Sequence, residues 1–593
     1  MSPAPPPSRR SGFAWLGVLL PLTLTLWLSW TWTPNFPHAD HWGMESDLLV
    51  EEAEAGLSWD LLARQFNDSR YVLPRLCFLA LGKATGWNVQ IEAAACVLLA
   101  GGIAVIAWWM ARRSLPGRSG DGAGAIMALL ILSPHQVMNW NFGVQICYFL
   151  PVGAAVGTAA IFLTRWSLAR QTLCGILLAT LGSWSFANGW LTWGLVAWGV
   201  LGWGRRRGWG PVAAALAGML LALAANLAVY FHGYHFSEGI PLTQKLMQRS
   251  GEIARYFLNA LGAGLAEGWL QPNQAERGRW LDRLSPPMAL LVLAWLGYLG
   301  LRHGRDLWRR GGASPAWMWL GLAGWSLLVV ALVALARTGN ALSHPFASRY
   351  LAFSLWAWAG ALVLSLLLPP GRTRRALAGG GSALLLWGWA SGTATGIKQL
   401  HKDAYTMRLL HGTLIMSQVA PEPFGLRAND TAMNQLFPRL QRLDALGYLH
   451  PPLVRSPLVA QAAVRQDPAV EGKLLEIQLG PPLRITGYAI DHRRPGPADA
   501  VVLSLQPKGG AEIWWTPVSG RTLDKSSRKL AASRGLRGEH ARIGWVWEPS
   551  PNPLPFAVVS PPPGPGTVRA YVLDTRRGTF SPLAGELSLE RAP

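Results

Sequence analysis

The chain has 593 residues, half of them hydrophobic and only 14% charged, with 32 tryptophans; this excludes an ordinary soluble enzyme and indicates a polytopic α-helical membrane protein. The formal net charge of +21 does not mark a nucleic-acid binder. The arginines collect in short clusters between apolar runs, at Arg9-Arg10, Arg112-Arg113, Arg205 to Arg207, Arg309-Arg310 and Arg372 to Arg375, as cytoplasmic turns do.

Residues 1–12 read as a cytoplasmic tail. Phe13–Trp32 has a basic flank and no small-residue cleavage site before Asn35, so it is expected to stay as the first span. Further spans are expected near 91–111, 123–138, 144–164, 171–187, 190–204, 211–231, 286–301, 315–336, 350–369 and 378–396. That makes eleven, with each basic cluster on the cytoplasmic side. Tyr256–Leu270 is apolar enough to cross, but crossing there would put two basic clusters outside. An interfacial or re-entrant helix is expected instead. The cysteines Cys77, Cys96, Cys147 and Cys174 show no paired spacing and predict neither a disulfide framework nor a metal site.

The first outer loop, 33–90, opens with Phe36–Asp47, F-P-H-A-D-H-W-G-M-E-S-D. Asp40 lies just past the first span, where partial desolvation would raise a carboxylate's proton affinity into the range of a general base. Glu45 and Asp47 fall closer to a surface helix. His38, Asp40 and His41 could surround a metal, but tight ligand spacing is absent. No metal site is assigned, and a divalent cation (Mg or Mn) is the only cofactor the pattern leaves room for. Met44–Arg64 has the apolar spacing of one or two helices lying on the membrane surface, separated at Gly56. Asn67-Asp68-Ser69-Arg70 breaks that pattern before the apolar stretch Tyr71–Leu81.

Other polar residues collect at the remaining outer turns. Arg337 and Arg349 bracket R-T-G-N-A-L-S-H-P-F-A-S-R, which contains His344; arginines kept on the outer side need a partner, and the guanidinium fork matches phosphate oxygens. Lys245, Arg249 and Arg255 would add positive charge. Gln136, Asn139, Asn141 and Asn188, beside several tryptophans, have the chemistry of a sugar-binding cleft, with amides for hydroxyls and indoles for ring faces.

After Lys398 the apolar periodicity ends. Residues 399–459 read as a connector with a helix over Asp430–Leu446. Residues 460–593 carry short, often alternating runs bounded by Pro, Gly and Asp, the pattern of a β-sandwich. The topology puts this region outside the cytoplasmic membrane, in the periplasm of a double-membraned bacterium.

This layout resembles the bacterial polytopic glycosyltransferases of the GT-C superfamily over residues 10–400. Gln65 to Arg75, Q-F-N-D-S-R-Y-V-L-P-R, resembles the H-N-E-H-R…F-P-R stretch of uncharacterised bacterial members, and Ser348-Arg349-Tyr350 resembles their S-R-Y element. The resemblance implies an inverting transfer of a sugar from a polyprenyl-phosphate donor to a glycan, lipid or protein acceptor at the outer face. It implies Asp40, or Asp68 in the matched stretch, as catalytic base. Donor phosphate would be held by Arg349 and Arg337, with Lys245 and Arg255. Sugar or acceptor would meet His41, Trp42, Asn67, Arg70, Gln136, Asn139, Asn141, Asn188 and His344. The partners expected are the donor, the acceptor and membrane lipids, with no nucleic acid.

Two other classes compete. A lipid-linked sugar transporter would use the same outer positive cleft, but neither an inverted repeat nor charges deep in the spans are present. A membrane-anchored glycan-binding platform would use Trp514, Trp515, Trp545 and Trp547 for ring stacking.

Overall fold

The structure is a computed structural model that describes residues 12–235, 242–266, 274–310, 314–339, 344–419, 430–478, 484–493, 497–517, 520–522, 533–534, 544–547 and 564–589. The chain divides into two compact units. The first comprises Met1–Thr33, Ala55–Ala80 and Gln90–Leu400, the second Pro34–Glu54, Leu81–Val89 and His401–Pro593. Arg9 and Arg10 lie outside the described residues.

The first unit is a helical bundle. Seven helices among the described residues are long and apolar enough to cross a membrane: Trp15–Trp32, Val89–Ser114, Gly143–Phe162, Trp209–Phe231, Trp280–Gly304, Pro315–Arg337 and Ser348–Leu366. This corrects the expected eleven. The chain is helical at three of the other expected spans too, but over only 14, 16 and 17 residues, at Arg118–Ile131, Leu168–Ser183 and Leu191–Arg207. At a rise of about 1.5 Å per residue these fall short of a hydrocarbon core of about 30 Å. Their missing length is taken up by turns such as Val137–Trp140 and Ala187–Trp190. The fourth, 378–396, lies inside the 45-residue helix Arg372–Met416, whose residues from His401 onward belong to the second unit.

Helix Leu242–Ala266, kinked at Arg249, covers the part of Tyr256–Leu270 that is described. Its second half packs into the bundle. A Cβ at Gly262 would meet the Ser285 carbonyl oxygen at 1.9 Å, and one at Gly264 would meet the Trp358 ring at 2.6 Å.

Indoles join neighbouring helices. Trp198 and Trp317 stack at 4.0 Å between centroids and 9° between planes. Each donates its ring N–H to the other's backbone carbonyl, at 2.8 and 2.7 Å. The first helix is tied by Ser29, whose hydroxyl donates to the Trp140 carbonyl at 2.6 Å.

In the second unit, parts of the first loop fold with the C-terminal chain. The Trp87 indole donates to Glu45 Oε2 at 2.9 Å, and the Val89 N–H to Asn35 Oδ1 at 3.0 Å. Arg439, on helix Asp430–Ala445, reaches Asp47 at 2.7 Å and the Trp42 carbonyl at 2.8 Å. The β-rich region contains two separate antiparallel sheets. One pairs Thr579–Pro582, Gly566–Asp574, Ala500–Pro507 and Ile513–Pro517 in that order, with Leu587–Leu589 also on Gly566–Asp574. The other runs Val470–Gln478, Arg484–Asp491, Gly544–Trp547, Gly520–Thr522.

Leu474 and Ile485 from one sheet share a core with Leu503, Leu505, Val568 and Val572 from the other, so burial of the alternating apolar face holds the sheets together. The expected β-sandwich is corrected to this extent: no closed sandwich or barrel is seen among the described residues. Trp514 and Trp515 are buried in the core, which removes them as exposed ring-stacking residues. The side chains of Trp545 and Trp547 lie outside the described residues.

One close approach can be tested directly. A Cβ at Gly189 would lie 1.9 Å from the Gly182 carbonyl oxygen, so Gly189→Ala must push the Ala187–Trp190 turn off helix Leu168–Ser183. The expected cost is about 1–3 kcal/mol, read as a lower thermal midpoint of the detergent-purified protein; an unchanged midpoint would show that the turn moves freely.

Candidate functional site

Within the first unit the polar residues are organised by a small hairpin. Gln65–Phe66 and Ser69–Arg70 pair antiparallel, leaving Asn67 and Asp68 at the tip. Asn67 has φ +50°, a conformation that asparagine tolerates better than most residues. The hairpin is clamped on both sides. The Gln65 side chain donates to the His235 carbonyl at 2.7 Å and accepts from the His235 N–H at 3.0 Å. Ser69 Oγ accepts the Ala187 N–H at 3.0 Å.

Arg70 continues the clamp. Its Nη1 donates to the Ala63 carbonyl and its Nη2 to the His232 carbonyl, both at 2.6 Å, and its backbone N–H donates to the Tyr230 hydroxyl at 3.0 Å. Arg75, in the same matched stretch, is buried and holds the carbonyls of Leu61 and Leu62, in the last turn of helix Trp59–Ala63, and of Arg64, its C-cap.

Asp68 is exposed at the hairpin tip and within electrostatic reach of Tyr230, Tyr234 and Lys245. Burial pushes the Tyr234 hydroxyl up to about 12, with Tyr230 and Asp68 adding to the rise. Burial, then Arg249, lowers the Lys245 ammonium, and Asp68 opposes them. The carboxylate thus sits among polar groups of the first unit that could position a hydroxyl-bearing substrate.

Arg337 ends helix Pro315–Arg337, and Arg349 lies in the 3-10 turn Ser348–Tyr350. Both are within electrostatic reach of the Tyr148 hydroxyl. The Arg349 guanidinium lies 5.2 Å from the Tyr350 ring centroid. Its backbone is held from the Val137–Trp140 turn: the Met138 N–H donates to Ser348 Oγ at 3.0 Å, and Asn139 Nδ2 lies 3.5 Å from the Arg349 carbonyl. An aromatic row, Phe66–Tyr71–Phe186–Tyr148, with centroids 6.2, 5.8 and 4.7 Å apart, connects the hairpin to this arginine pair.

The other expected residues have varied positions. Lys245 donates to the Ala336 carbonyl at 3.2 Å, one residue before Arg337. Arg255 pairs with Asp282 at 2.6 Å, a carboxylate that also accepts from Asn259. Gln136 donates to the carbonyls of Leu130 and Ile131 and accepts from Asn139, so these amides organise a turn. Asn141 follows that turn, half-buried. Asn188 is buried, and its amide has no hydrogen-bond partner among the described residues. His344 is exposed and accepts the Phe346 N–H at 3.2 Å.

Asp40, His41 and Trp42 belong to the second unit. Asp40 is exposed and precedes helix His41–Met44 without capping it through its side chain. His41 is buried, its Nδ1 turned to the backbone of His38 at 2.9 Å and its Nε2 3.9 Å from Glu45. His38 Nδ1 faces the Phe36 carbonyl at 3.1 Å. Both Nδ1 atoms therefore address backbone. Trp42 packs edge-on against Trp87 at 5.6 Å.

The hairpin also borders a cleft of about 470 Å³ lined by Trp59, Asp60, Arg70, Trp184, Val229 and His232, among others. Trp59, Asp60, Tyr148, Tyr230 and Tyr234 were not singled out in the sequence; turn-end aromatics next to the Asn-Asp tip are the signal that could have pointed to them.

No protein family and no curated protein matches the sequence. Among solved structures, the chain is similar to the Archaeoglobus fulgidus oligosaccharyltransferase in complex with Zn and sulfate, at 14% identity and a TM-score of 0.34, over 66% of this chain and 55% of that one. It is also similar to the same enzyme tethered to an acceptor peptide containing the NVT sequon, at 12% identity and a TM-score of 0.36, over 75% of this chain and 60% of that one. The chain thus spans between 55% and 60% of the length of the structures it matches.

Histidines of the second unit predict its response to acid. Burial pushes the His411 imidazole down to about 4, against the pull of Asp499. Burial also holds His38 and His41 below their ordinary value. Such groups are neutral when folded but bind a proton near pH 6.5 when unfolded. Their contribution to stability is therefore present above about 6.5 and is lost progressively as the pH falls toward about 4. The unfolding midpoint in detergent is expected to drop over that window, and His411→Gln to flatten the slope; an unaltered pH profile in the variant would remove His411 from the account.

Proposed function

We propose that the chain is an inverting membrane glycosyltransferase of the GT-C type, moving a sugar from a polyprenyl-phosphate donor to a hydroxyl-bearing acceptor. The supporting observation is that Arg337 and Arg349, at the ends of two different helices, both lie within electrostatic reach of one tyrosine hydroxyl, Tyr148. Two cations in reach of one hydroxyl beside apolar helices make a positive region that would attract an anion. A phosphate is the anion that guanidiniums match best, through paired N–H···O bonds.

In this reading the acceptor oxygen attacks the anomeric carbon from the face opposite the leaving phosphate. The bond from that carbon to the phosphate oxygen breaks, its electron pair stays on the phosphate, and the configuration inverts. Arg337 and Arg349 stabilise the charge that gathers there. The acceptor proton goes to a carboxylate. Asp68 is the better candidate, because it shares a unit with the arginine pair and lies among Tyr230, Tyr234 and Lys245. In a double-membraned bacterium the donor would enter from the outer leaflet of the cytoplasmic membrane.

Two measurements test this assignment. Binding of a synthetic polyprenyl phosphate, against phosphatidylglycerol as anionic control, is expected to be selective in the wild type and weakened about tenfold or more in Arg349→Ala. Equal binding of the two lipids would sink the donor site. In a transfer assay Asp68→Asn is expected to cost about 10²–10⁴ in rate with donor binding retained, and Asp40→Asn to stay near wild type; the reverse pattern would move the base to Asp40.

A further inference from the structure

We propose that the cleft lined by Trp59, Trp184, Asp60 and Arg70 is the acceptor subsite of this enzyme and that it takes an uncharged saccharide ring; this rests on the glycosyltransferase reading. Its volume of about 470 Å³ lies within the range of small-ligand sites, about 300–1,000 Å³. Its chemistry then selects among ligands.

The cleft is held open by the arginine clamp. Arg70 bridges the carbonyl of Ala63, at the end of helix Trp59–Ala63, to that of His232, which follows helix Trp209–Phe231. With Nη1 and Nη2 both engaged by carbonyls, the guanidinium cannot turn its fork toward a ligand without releasing a wall. The Asp60 carboxylate in the same lining repels anions. Opposite charges within one cleft therefore disfavour a phosphate and suit a neutral, polar ligand.

The indoles supply the other half of the recognition. Trp59 is 56% exposed. Trp184 is half-buried, and its ring N–H donates to Asn226 Oδ1 at 2.7 Å, which holds the indole in place. The two rings are 5.6 Å apart between centroids and inclined by 57°. This leaves the exposed face of Trp59 as a platform for the C–H face of a sugar ring. Asp60, an acceptor with two oxygens, and the His232 imidazole can bond the hydroxyls. An acceptor lodged there lies beside the strand Ser69–Arg70, directly after Asp68, so the proposed base and the proposed acceptor share one hairpin.

The test uses the full-length protein in nanodiscs and saturation-transfer NMR with a panel of neutral methyl glycosides and tetrasaccharides. Glycerol phosphate and a neutral hydrophilic peptide are the controls. At least one neutral glycoside is expected to bind in preference to both controls. Its affinity should fall about three- to tenfold in Trp59→Ala, and fall also in Asp60→Asn, while polyprenyl-phosphate binding stays at the wild-type level in both. No binding of any neutral glycoside at about 10 mM, binding indifferent to both substitutions, or preferential binding of glycerol phosphate or of the peptide would each overturn the proposal. The two readings fail separately. Glycoside binding that needs Trp59, with no Arg349-dependent donor binding, would leave a saccharide site without the transferase; donor binding without glycoside binding would leave the transferase and refute this subsite.

Discussion

Helix ends at the turns of the first unit leave backbone carbonyls that no further helical turn can bond, and polar side chains bond them instead. Arg75 holds three such carbonyls at the end of helix Trp59–Ala63, Arg70 holds those of Ala63 and His232, Gln136 those of Leu130 and Ile131, and the Trp140 indole that of Ser133. An unsatisfied buried carbonyl costs about 1–3 kcal/mol. These side chains are therefore committed to the fold, whereas Asp60, Asp68, Arg337, Arg349 and the exposed indole of Trp59 are the groups that the proposed reaction uses.

That division explains what could be read from the sequence. Apolar runs and their basic flanks mark the longer spans, because composition over about twenty residues decides membrane insertion. The shorter helices were legible as helices but not in their lengths, since their ends are set by turns that other helices stabilise, such as Ala187–Trp190 held by Ser69. At the site, Arg337 and Arg349 stand out in the sequence because the charge rule would rather place arginines on the cytoplasmic side than at an expected outer loop. Their approach to a common tyrosine does not, because it depends on how helices separated by some two hundred residues pack.

Residue type alone was a weaker guide for the amides and the remaining cations. Gln136 and Asn139 have the chemistry of sugar ligands, yet their hydrogen bonds run to the turn around them and toward the Arg349 backbone. Arg255 similarly answers Asp282. A polar residue near a membrane face must satisfy its own donors before it serves a ligand, and only three-dimensional neighbours reveal which demand is met.

The second unit carries the same logic into the chain's connectivity. Residues 34–54 and 81–89 leave the first loop to fold with the C-terminal region, while 55–80 between them fold with the bundle. Glu45 accepts from Trp87, Asp47 pairs with Arg439, and Gly86, at φ +65°, sits where a Cβ would meet the His450 ring at 2.8 Å. The C-terminal region is accordingly built from both ends of the sequence. Chain entropy opposes bringing such distant segments together, and the cost grows only slowly with separation. A buried indole-to-carboxylate bond and an arginine pair, together with the burial of Leu48 and Leu49, are of the order needed to offset it. The candidate base at Asp68 lies in the interposed segment, Ala55–Ala80, which folds with the bundle and not with the residues that flank it in the sequence.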